Sequence, residues 1–266
     1  MTTDAVFAAA LDTAQRTVTS ISQLSVNATV TLATAYATQH AVIARRLARG
    51  ERRTGLKLGF TSRAKAQQMG VDDVIIGTLT DAMRLDDGSV YDRRSAIHPR
   101  VEPEVAYLLG ADVSEDMPNP MDAVAAVAPA LEIIDSRYRD FRFSLGDVVA
   151  DNTSAAAYAI GPWIPYDRAA ALENSAVRLE IDGRLSATGS TAAILGDPSR
   201  AVSAAARLAA RHGFVLRAGM VLLAGAATAA VTLPGSGVVE ATIAGLGRVS
   251  IRITDGTAAV DEETAR

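Results

Sequence analysis

The chain of 266 residues contains no cysteine. Disulfides, thiolate metal sites and a cysteine nucleophile are excluded, and a cytoplasmic protein is the expectation. Histidine is nearly as scarce: His40, His98 and His212 make up the whole set, and none is close to another in sequence. An all-histidine metal site is therefore not expected, and any metal would be a hard cation held by oxygen ligands. A formal net charge of −4 gives no basis for contact with nucleic acid or an acidic membrane surface. No apolar run reaches the length of a membrane span. The opening "MTTDAVFAAALDTAQRTVTS" is broken by Asp4 and Asp12 and reads as an amphipathic helix, not a leader peptide. No internal repeat is present, and neither "GAATAAV" nor "GLGRV" matches a phosphate loop or dinucleotide fingerprint.

What is present is a globular composition, 49% apolar and 21% charged, long enough for one large domain or a domain with an appendage. Residues 1–50 read as a helical segment, with helical spacing over 30–49, an arginine-rich last turn and Gly50 as the stop. Residues 51–266 read as the main domain, where the texture turns to short strands divided by turn signals. "GLKLGF" (55–60) is strand-like, and "SRAKAQQMG" (62–70) is a short helix capped by Ser62 and Gly70. Asp-Gly pairs in "RLDDGSVYD" and "RLEIDGRLSATG" are hairpin signals. Further helices are expected at about 119–127 and 198–212, the second with Pro198 in its first turn. Strands and helices do not alternate regularly, so the expected class is a mixed, β-rich α/β fold, not a doubly wound sheet or an eightfold barrel.

Certain polar residues break this texture. In "IHPRVEPEVAYLLG" (97–110), Glu102 and Glu104 lie two apart in a strand and share a face. One reading is an exposed edge strand. The other is a cation site, supported by the apolar flanks, by the nearby His98, Pro99 and Arg100, and by a third carboxylate, Glu132, in the apolar run "PALEIIDSRY". Three such glutamates on neighbouring strands form the oxygen set that suits Mg²⁺ or Mn²⁺. Lys57 lies mid-strand between Leu56 and Leu58. It is either a solvent-facing lysine or a buried ammonium paired with a carboxylate and available to move a proton or hold an anion. The densest polar patch is "DSRYRDFRFSLGDVVADNTS" (135–154). Its arginines fit surface ion pairs, and its Asp151–Asn152 pair fits a turn.

"GLKLGFTSRAKAQQMGV", "IHPRVEPEVAYLL", "PALEIIDSRYRDFRFSLGDVVADN", "AAILGDP" and "GLGRVSIRI" occur in the order seen in the fumarylacetoacetate hydrolase superfamily. The chain resembles the branch of that superfamily containing 2-oxopent-4-enoate hydratases and 4-oxalocrotonate decarboxylases, over roughly residues 30–254. The resemblance implies a fumarylacetoacetate hydrolase-like β-roll or barrel with outer helices, here with an N-terminal helical arm. It implies one divalent cation, Mg²⁺ or Mn²⁺, on Glu102, Glu104 and Glu132, with Lys57 beside a small 2-oxo acid substrate. It also implies a homo-oligomer, with association to a related hydratase known in the branch.

Within the branch, hydratases carry an aspartate shortly after "MGV", whereas decarboxylases carry an apolar residue there. This chain has Ile75, in "VIIG". "EIIDSRY", with Asp135 and Tyr138, and "GAATAAV" are also nearer the decarboxylase form. The activity implied is metal-dependent decarboxylation of a 2-oxo-3-enedioate to 2-hydroxypenta-2,4-dienoate in aromatic meta-cleavage catabolism. Hydration of that dienoate is the alternative, and a non-catalytic partner subunit is a third reading. Lys57 and Asp135 are the expected catalytic residues, Ile75 an apolar wall, and Asn152 and Thr228 the residues that orient substrate oxygens. "ADNTSAAAYAIG" and "LPGSGV" depart from the usual pattern and bear on the choice of substrate.

Overall fold

A computed structural model describes residues 2–26, 28–62, 73–114, 116–166 and 172–256. The helices among them are α1 (Thr3–Arg16), α2 (Leu32–Ala48), α3 (Leu145–Ala150) and α4 (Arg200–His212). The first three strands are β1 (Arg53–Gly59), β2 (Ile75–Thr80) and β3 (Arg84–Leu85). Next come β4 (Val90–Asp92), β5 (Arg100–Leu109), β6 (Val124–Ile134), β7 (Ala155–Ile160) and β8 (Ile164–Pro165). The last six are β9 (Ala176–Ile181), β10 (Arg184–Ser190), β11 (Val221–Ala226), β12 (Val231–Thr232), β13 (Gly237–Ile243) and β14 (Gly247–Thr254).

The larger sheet runs β2-β1-β11-β5-β6-β7-β3, with β12 beside β5 and β8 beside β6, and it curls into a half-barrel. The smaller sheet runs β10-β9-β13-β14-β4. The mixed, β-rich fold with an N-terminal helical arm is therefore present. Side-chain alternation then assigns the faces of the larger sheet. Val101, Leu131 and Ile133 pack against Leu179, Val239, Val249 and Ile251 of the smaller sheet. Val105, Tyr107 and Leu109 lie in the core that also takes in Leu11, Tyr36 and the α4 residues Val202, Ala205 and Leu208. Burying each large apolar side chain contributes about 1.5–3 kcal/mol. The opposite, concave face of β5 and β6 carries Ala106, Ala128 and Ala130, packed with Leu79, Tyr158 and Leu223. Small residues there leave space inside the curl, and the polar residues occupy that space.

The arm is braced onto this body. Thr31 caps α2 by accepting from the Thr34 amide at 3.2 Å, and the chain leaves the helix through Gly50 at φ 100°. Buried Gln39 of α2 donates to the carbonyls of Ile76 (3.0 Å) and Val149 (2.8 Å), joining the arm to β2 and α3.

Four local expectations need correction or placing. Residues 124–134 form strand β6, so the helix expected at 119–127 is reduced to a single 3₁₀ turn, Pro120–Ala123. Alanine favours helix, but here pairing with β5 and β7 overrides propensity. The Asp87–Gly88 turn does not close a hairpin: β3 pairs with β7 in the larger sheet and β4 with β14 in the smaller. Pro198 precedes α4, whose N-cap is Ser199. The helix expected over 62–70 lies, beyond Ser62, outside the described residues. By contrast, Asp182 and Gly183 both adopt positive φ and do close the β9–β10 hairpin.

Candidate active site

The site follows from strand register. Glu102 of β5 sits directly opposite Glu132 of β6, and Glu104 follows two residues later on the same concave face. Their carboxylate oxygens lie within 4.8 Å of one another, and the three residues are 5%, 1% and 1% exposed for Glu102, Glu104 and Glu132. The edge-strand reading is thereby excluded. Like charges placed opposite one another across a ladder destabilise it, so the cluster requires a counter-charge.

Lys57 supplies part of it. Register across β1, β11 and β5 puts Lys57, Leu223 and Ala106 in line on the concave face. Lys57 is 3% exposed, and its Nζ lies 3.0 Å from Glu132 Oε2 and donates to the Thr153 carbonyl at 3.1 Å. Burial opposes the ammonium, but Glu132, Glu104 and Glu102 outweigh it and hold the Lys57 pKa above its usual value. Burial pushes Glu104 far above the ordinary carboxylate range, reinforced by Glu132, and it also lifts Glu132 against the opposing pull of Lys57. Three carboxylates against one ammonium leave two negative charges when all are ionised.

This donor set fits a divalent cation. Both oxygens of Glu132 are buried: Oε2 meets the Lys57 ammonium at 3.0 Å, and Oε1 has no hydrogen-bond donor among the described residues, whereas Glu104 Oε2 accepts from the Gly225 amide at 2.8 Å. Unsatisfied buried carboxylate oxygens are costly, and a hard cation satisfies them. The β5–β11 register shifts between Leu223 and Ala226, where Gly225 adopts φ 118°. A Cβ on Gly225 would lie 2.1 Å from Thr61 Oγ1, so only glycine lets the amide reach Glu104.

Beneath Lys57 lies a strained turn. Asn152, Thr153 and Ser154 all adopt left-handed backbone, with φ of 49°, 51° and 59°. Such residues cost of order 1–3 kcal/mol each and persist only where the surroundings over-determine them. Asn152 Oδ1 accepts from the Thr78 amide (2.8 Å), and its Nδ2 donates to the Thr78 carbonyl (2.9 Å). Arg137 braces the same turn, donating to both the carboxylate and the carbonyl of Asp151. Burial pushes the Asp151 carboxyl up to about 6 against the pull of Arg137.

The other expected residues lie in the following places. Asp135 accepts from the backbone amides of Ile97 (2.9 Å) and His98 (2.8 Å), which fixes the chain entering β5. Ile75 pairs with Gly59 as Lys57 pairs with Gly77, so it sits two residues along on the same face as the lysine. Thr228 is half-buried in the β11–β12 connection, its hydroxyl donating to the Ala229 carbonyl at 2.9 Å. A small hollow of about 30 Å³ is bordered by Lys57, Thr61, Glu102 and Ala226. It meets two larger clefts at Phe60, a non-glycine residue at φ 58°. One, of about 610 Å³, is lined by Val74, Ala192 and Leu195, and the other, of about 600 Å³, by Arg100, Phe141 and Arg142.

Arg137, Gly77, Thr153 and Gly225 were not singled out from sequence. A usable signal did exist for Lys57: of the 26 basic residues, only Lys57 and Lys65 are lysine. In a chain that otherwise uses arginine for its cations, a mid-strand lysine marks a place that needs a compact, deprotonatable charge.

Residues 56–254 match the family described as Fumarylacetoacetate (FAA) hydrolase C-terminal. A 4-oxalocrotonate decarboxylase from a Pseudomonas species is 48% identical over 235 residues, covering 87% of this chain and 91% of the relative. A 2-keto-4-pentenoate hydratase from Burkholderia vietnamiensis is 37% identical over 224 residues, covering 83% of this chain and 86% of the relative. The solved structure of 4-oxalocrotonate decarboxylase from Pseudomonas putida G7, complexed with magnesium and adipate, superposes with a TM-score of 0.89 at 34% identity. That similarity covers 94% of this chain and 97% of the other.

Proposed function

The chain belongs to the fumarylacetoacetate hydrolase family, and from that premise we propose that it is a divalent-metal-dependent decarboxylase of a 2-oxo-3-enedioate such as 2-oxo-3-hexenedioate. The observation that carries this choice over hydration is Ile75, an apolar side chain on the same face as Lys57, where the hydratase pattern has an acid. The 48% identity to one decarboxylase, against 37% to the hydratase relative, supports it.

Glu102, Glu104 and Glu132 would hold Mg²⁺ or Mn²⁺, which when bound supplies a Lewis acid toward the C1 carboxylate and C2 ketone oxygens of the substrate. The C5–C6 bond breaks and C6 departs as CO₂. The bonding pair forms the C4–C5 double bond, the alkene pair shifts to C2–C3, and the carbonyl pair moves to the C2 oxygen. One proton on that oxygen gives 2-hydroxypenta-2,4-dienoate. Lys57 is positioned to hold or deliver this proton at Nζ and to neutralise the C1 carboxylate. Ile75 keeps a proton-abstracting group away and offers the departing carboxylate no water. Asp135 acts through the backbone it holds at Ile97 and His98, Asn152 through Thr78, and Thr228 orients a substrate oxygen.

In this reading residues 51–266 are the catalytic unit, braced by the 1–50 segment. The enzyme works in the cytoplasm as a homo-oligomer in aromatic catabolism, associating with a hydratase. No described helix is long and apolar enough to cross a membrane.

The test gives purified protein and Mg²⁺ two substrates separately. Release of CO₂ from 2-oxo-3-hexenedioate supports the proposal. Hydration of 2-hydroxypenta-2,4-dienoate without CO₂ from the diacid replaces it with the hydratase reading. Metal binding with no turnover until a second protein is added replaces it with the partner-subunit reading.

A further inference from the structure

Lys57 is a single flexible side chain, yet the reaction proposed above needs its ammonium at one point. Four methylene groups separate its Cα from the charge, so something must select one rotamer. Two contacts do so: Glu132 Oε2 at 3.0 Å and the Thr153 carbonyl at 3.1 Å. The first belongs to the metal triad. The second comes from the most improbable backbone in the site, a β-branched residue at φ 51° between two further left-handed residues.

We propose that the Asn152–Thr153–Ser154 turn is a positioning device that presents the Thr153 carbonyl to Lys57, and that Asn152 and Gly77 are the residues that make it possible. This rests on the reading of Lys57 given above. The hydrogen bonds around the turn all restrain that one peptide. Asn152 clamps both backbone groups of Thr78, the β2 residue beside Gly77. Thr153 Oγ1 donates to the Asn152 carbonyl at 2.7 Å, and the Ser154 amide to the Asp151 carbonyl at 2.9 Å. The Ser154 carbonyl accepts from the Asp135 amide at 2.8 Å. Gly77 lies opposite Lys57 in the β1–β2 pair, and a Cβ there would lie 2.1 Å from Thr153 Oγ1 and 2.9 Å from the Asn152 carbonyl. Any side chain at 77 would push the turn away from the lysine. The ammonium has three N–H bonds. With two directed at Glu132 and Thr153, one remains for a bound molecule in the hollow that Lys57 borders. Backbone strain at a site is informative when it serves geometry, and here it aims a carbonyl at a charge.

Thr153→Gly separates positioning from stability. Glycine accepts left-handed φ freely, which offsets its greater freedom in the unfolded chain. The carbonyl is retained but its restraint is weakened. The expected result is a melting temperature within about 3 °C of the parent. At the same time kcat falls about 10- to 100-fold, with KM for 2-oxo-3-hexenedioate in saturating Mg²⁺ within about threefold. Asn152→Ala gives the same kcat-weighted loss, and because it removes two hydrogen bonds it also lowers the melting temperature. A readout independent of turnover comes from the two-lysine composition. In ¹⁵N-lysine-labelled Lys65→Arg protein, Lys57 Nζ is the sole side-chain ammonium signal, and it shifts or broadens in Thr153→Gly.

A Lys57 signal and a kcat both unchanged in Thr153→Gly and Asn152→Ala overturn the proposal. So does a loss of activity that tracks only the unfolded fraction while the signal stays put. Should Lys57→Met retain full turnover, the reading of Lys57 falls, and the purpose of the turn falls with it. Should Lys57→Met be inactive while Thr153→Gly is fully active, only the positioning role falls.

Discussion

Glu102 and Glu132 face each other directly across β5 and β6, and Glu132 Oε1 has no hydrogen-bond donor among the described residues. Two buried carboxylates in that relation repel each other. Glu104 adds a third buried carboxyl, and Lys57 offsets only one charge when all are ionised. The arrangement makes physical sense as the protein half of a cation site.

Lys57→Met is expected to lower kcat by about 10²-fold or more, the usual scale for losing a positioned proton donor. Lys57→Arg is expected not to restore it, because a planar guanidinium does not fit a site bounded by Glu132 and the Thr153 carbonyl. Steady-state kinetics on both variants decides. An arginine variant with parental kcat would show that charge alone suffices.

Gly225→Ala is expected to destabilise by about 1–3 kcal/mol, since a Cβ there meets Thr61 Oγ1 at 2.1 Å. For a chain of this size that is about 2–4 °C in Tm per kcal/mol. The same change moves the amide that binds Glu104, so Mg²⁺ affinity should fall as well. Thermal melts and metal titration of one sample read both effects, and unchanged values in both would contradict the role given to this glycine.

Asp135→Asn keeps one acceptor for the two amides of Ile97 and His98, at an expected cost of about 1–3 kcal/mol. Activity per folded molecule should stay near the parental value. A variant that is stable but inactive would instead place Asp135 in contact with substrate.

Asp12 is held below its ordinary pKa: burial raises it, but hydrogen bonds and charge from Arg49 and Arg45 outweigh burial. A carboxylate with a depressed folded-state pKa contributes stability above its unfolded pKa of about 3.9 and loses it as pH falls through the folded value. Asp12→Asn should therefore cost about 1–2 kcal/mol at pH 7, where both arginines are partly solvated. The gap to the parent should close as pH drops below about 4 in denaturant titrations. A gap independent of pH would assign the effect to packing.

The legible parts of this molecule were those written in local pattern. Strand alternation put Glu102 and Glu104 on one face, and the apolar setting of Glu132 pointed to a neighbouring strand. What escaped was non-local. Asp87–Gly88 has hairpin chemistry, but its flanking strands join different sheets, a choice made by partners more than 60 residues away. The alanine-rich stretch within 119–127 reads as helix until β5 is there to pair with its second half. Asp151–Asn152 marked a turn, but the left-handed backbone that continues through Thr153 and Ser154 uses no glycine and left no mark in the residue types. Its space was recorded instead at Gly77, a position whose meaning appears only once the turn packs on it.

The most direct test of the central claim is isothermal titration of Mg²⁺ into metal-free parental protein and into Glu132→Gln. The expected result is one ion per chain in the parent and an affinity at least about 10²-fold weaker in the variant, with loss of CO₂ release from 2-oxo-3-hexenedioate in parallel. Equal Mg²⁺ binding by the two proteins, or none by the parent, would contradict it.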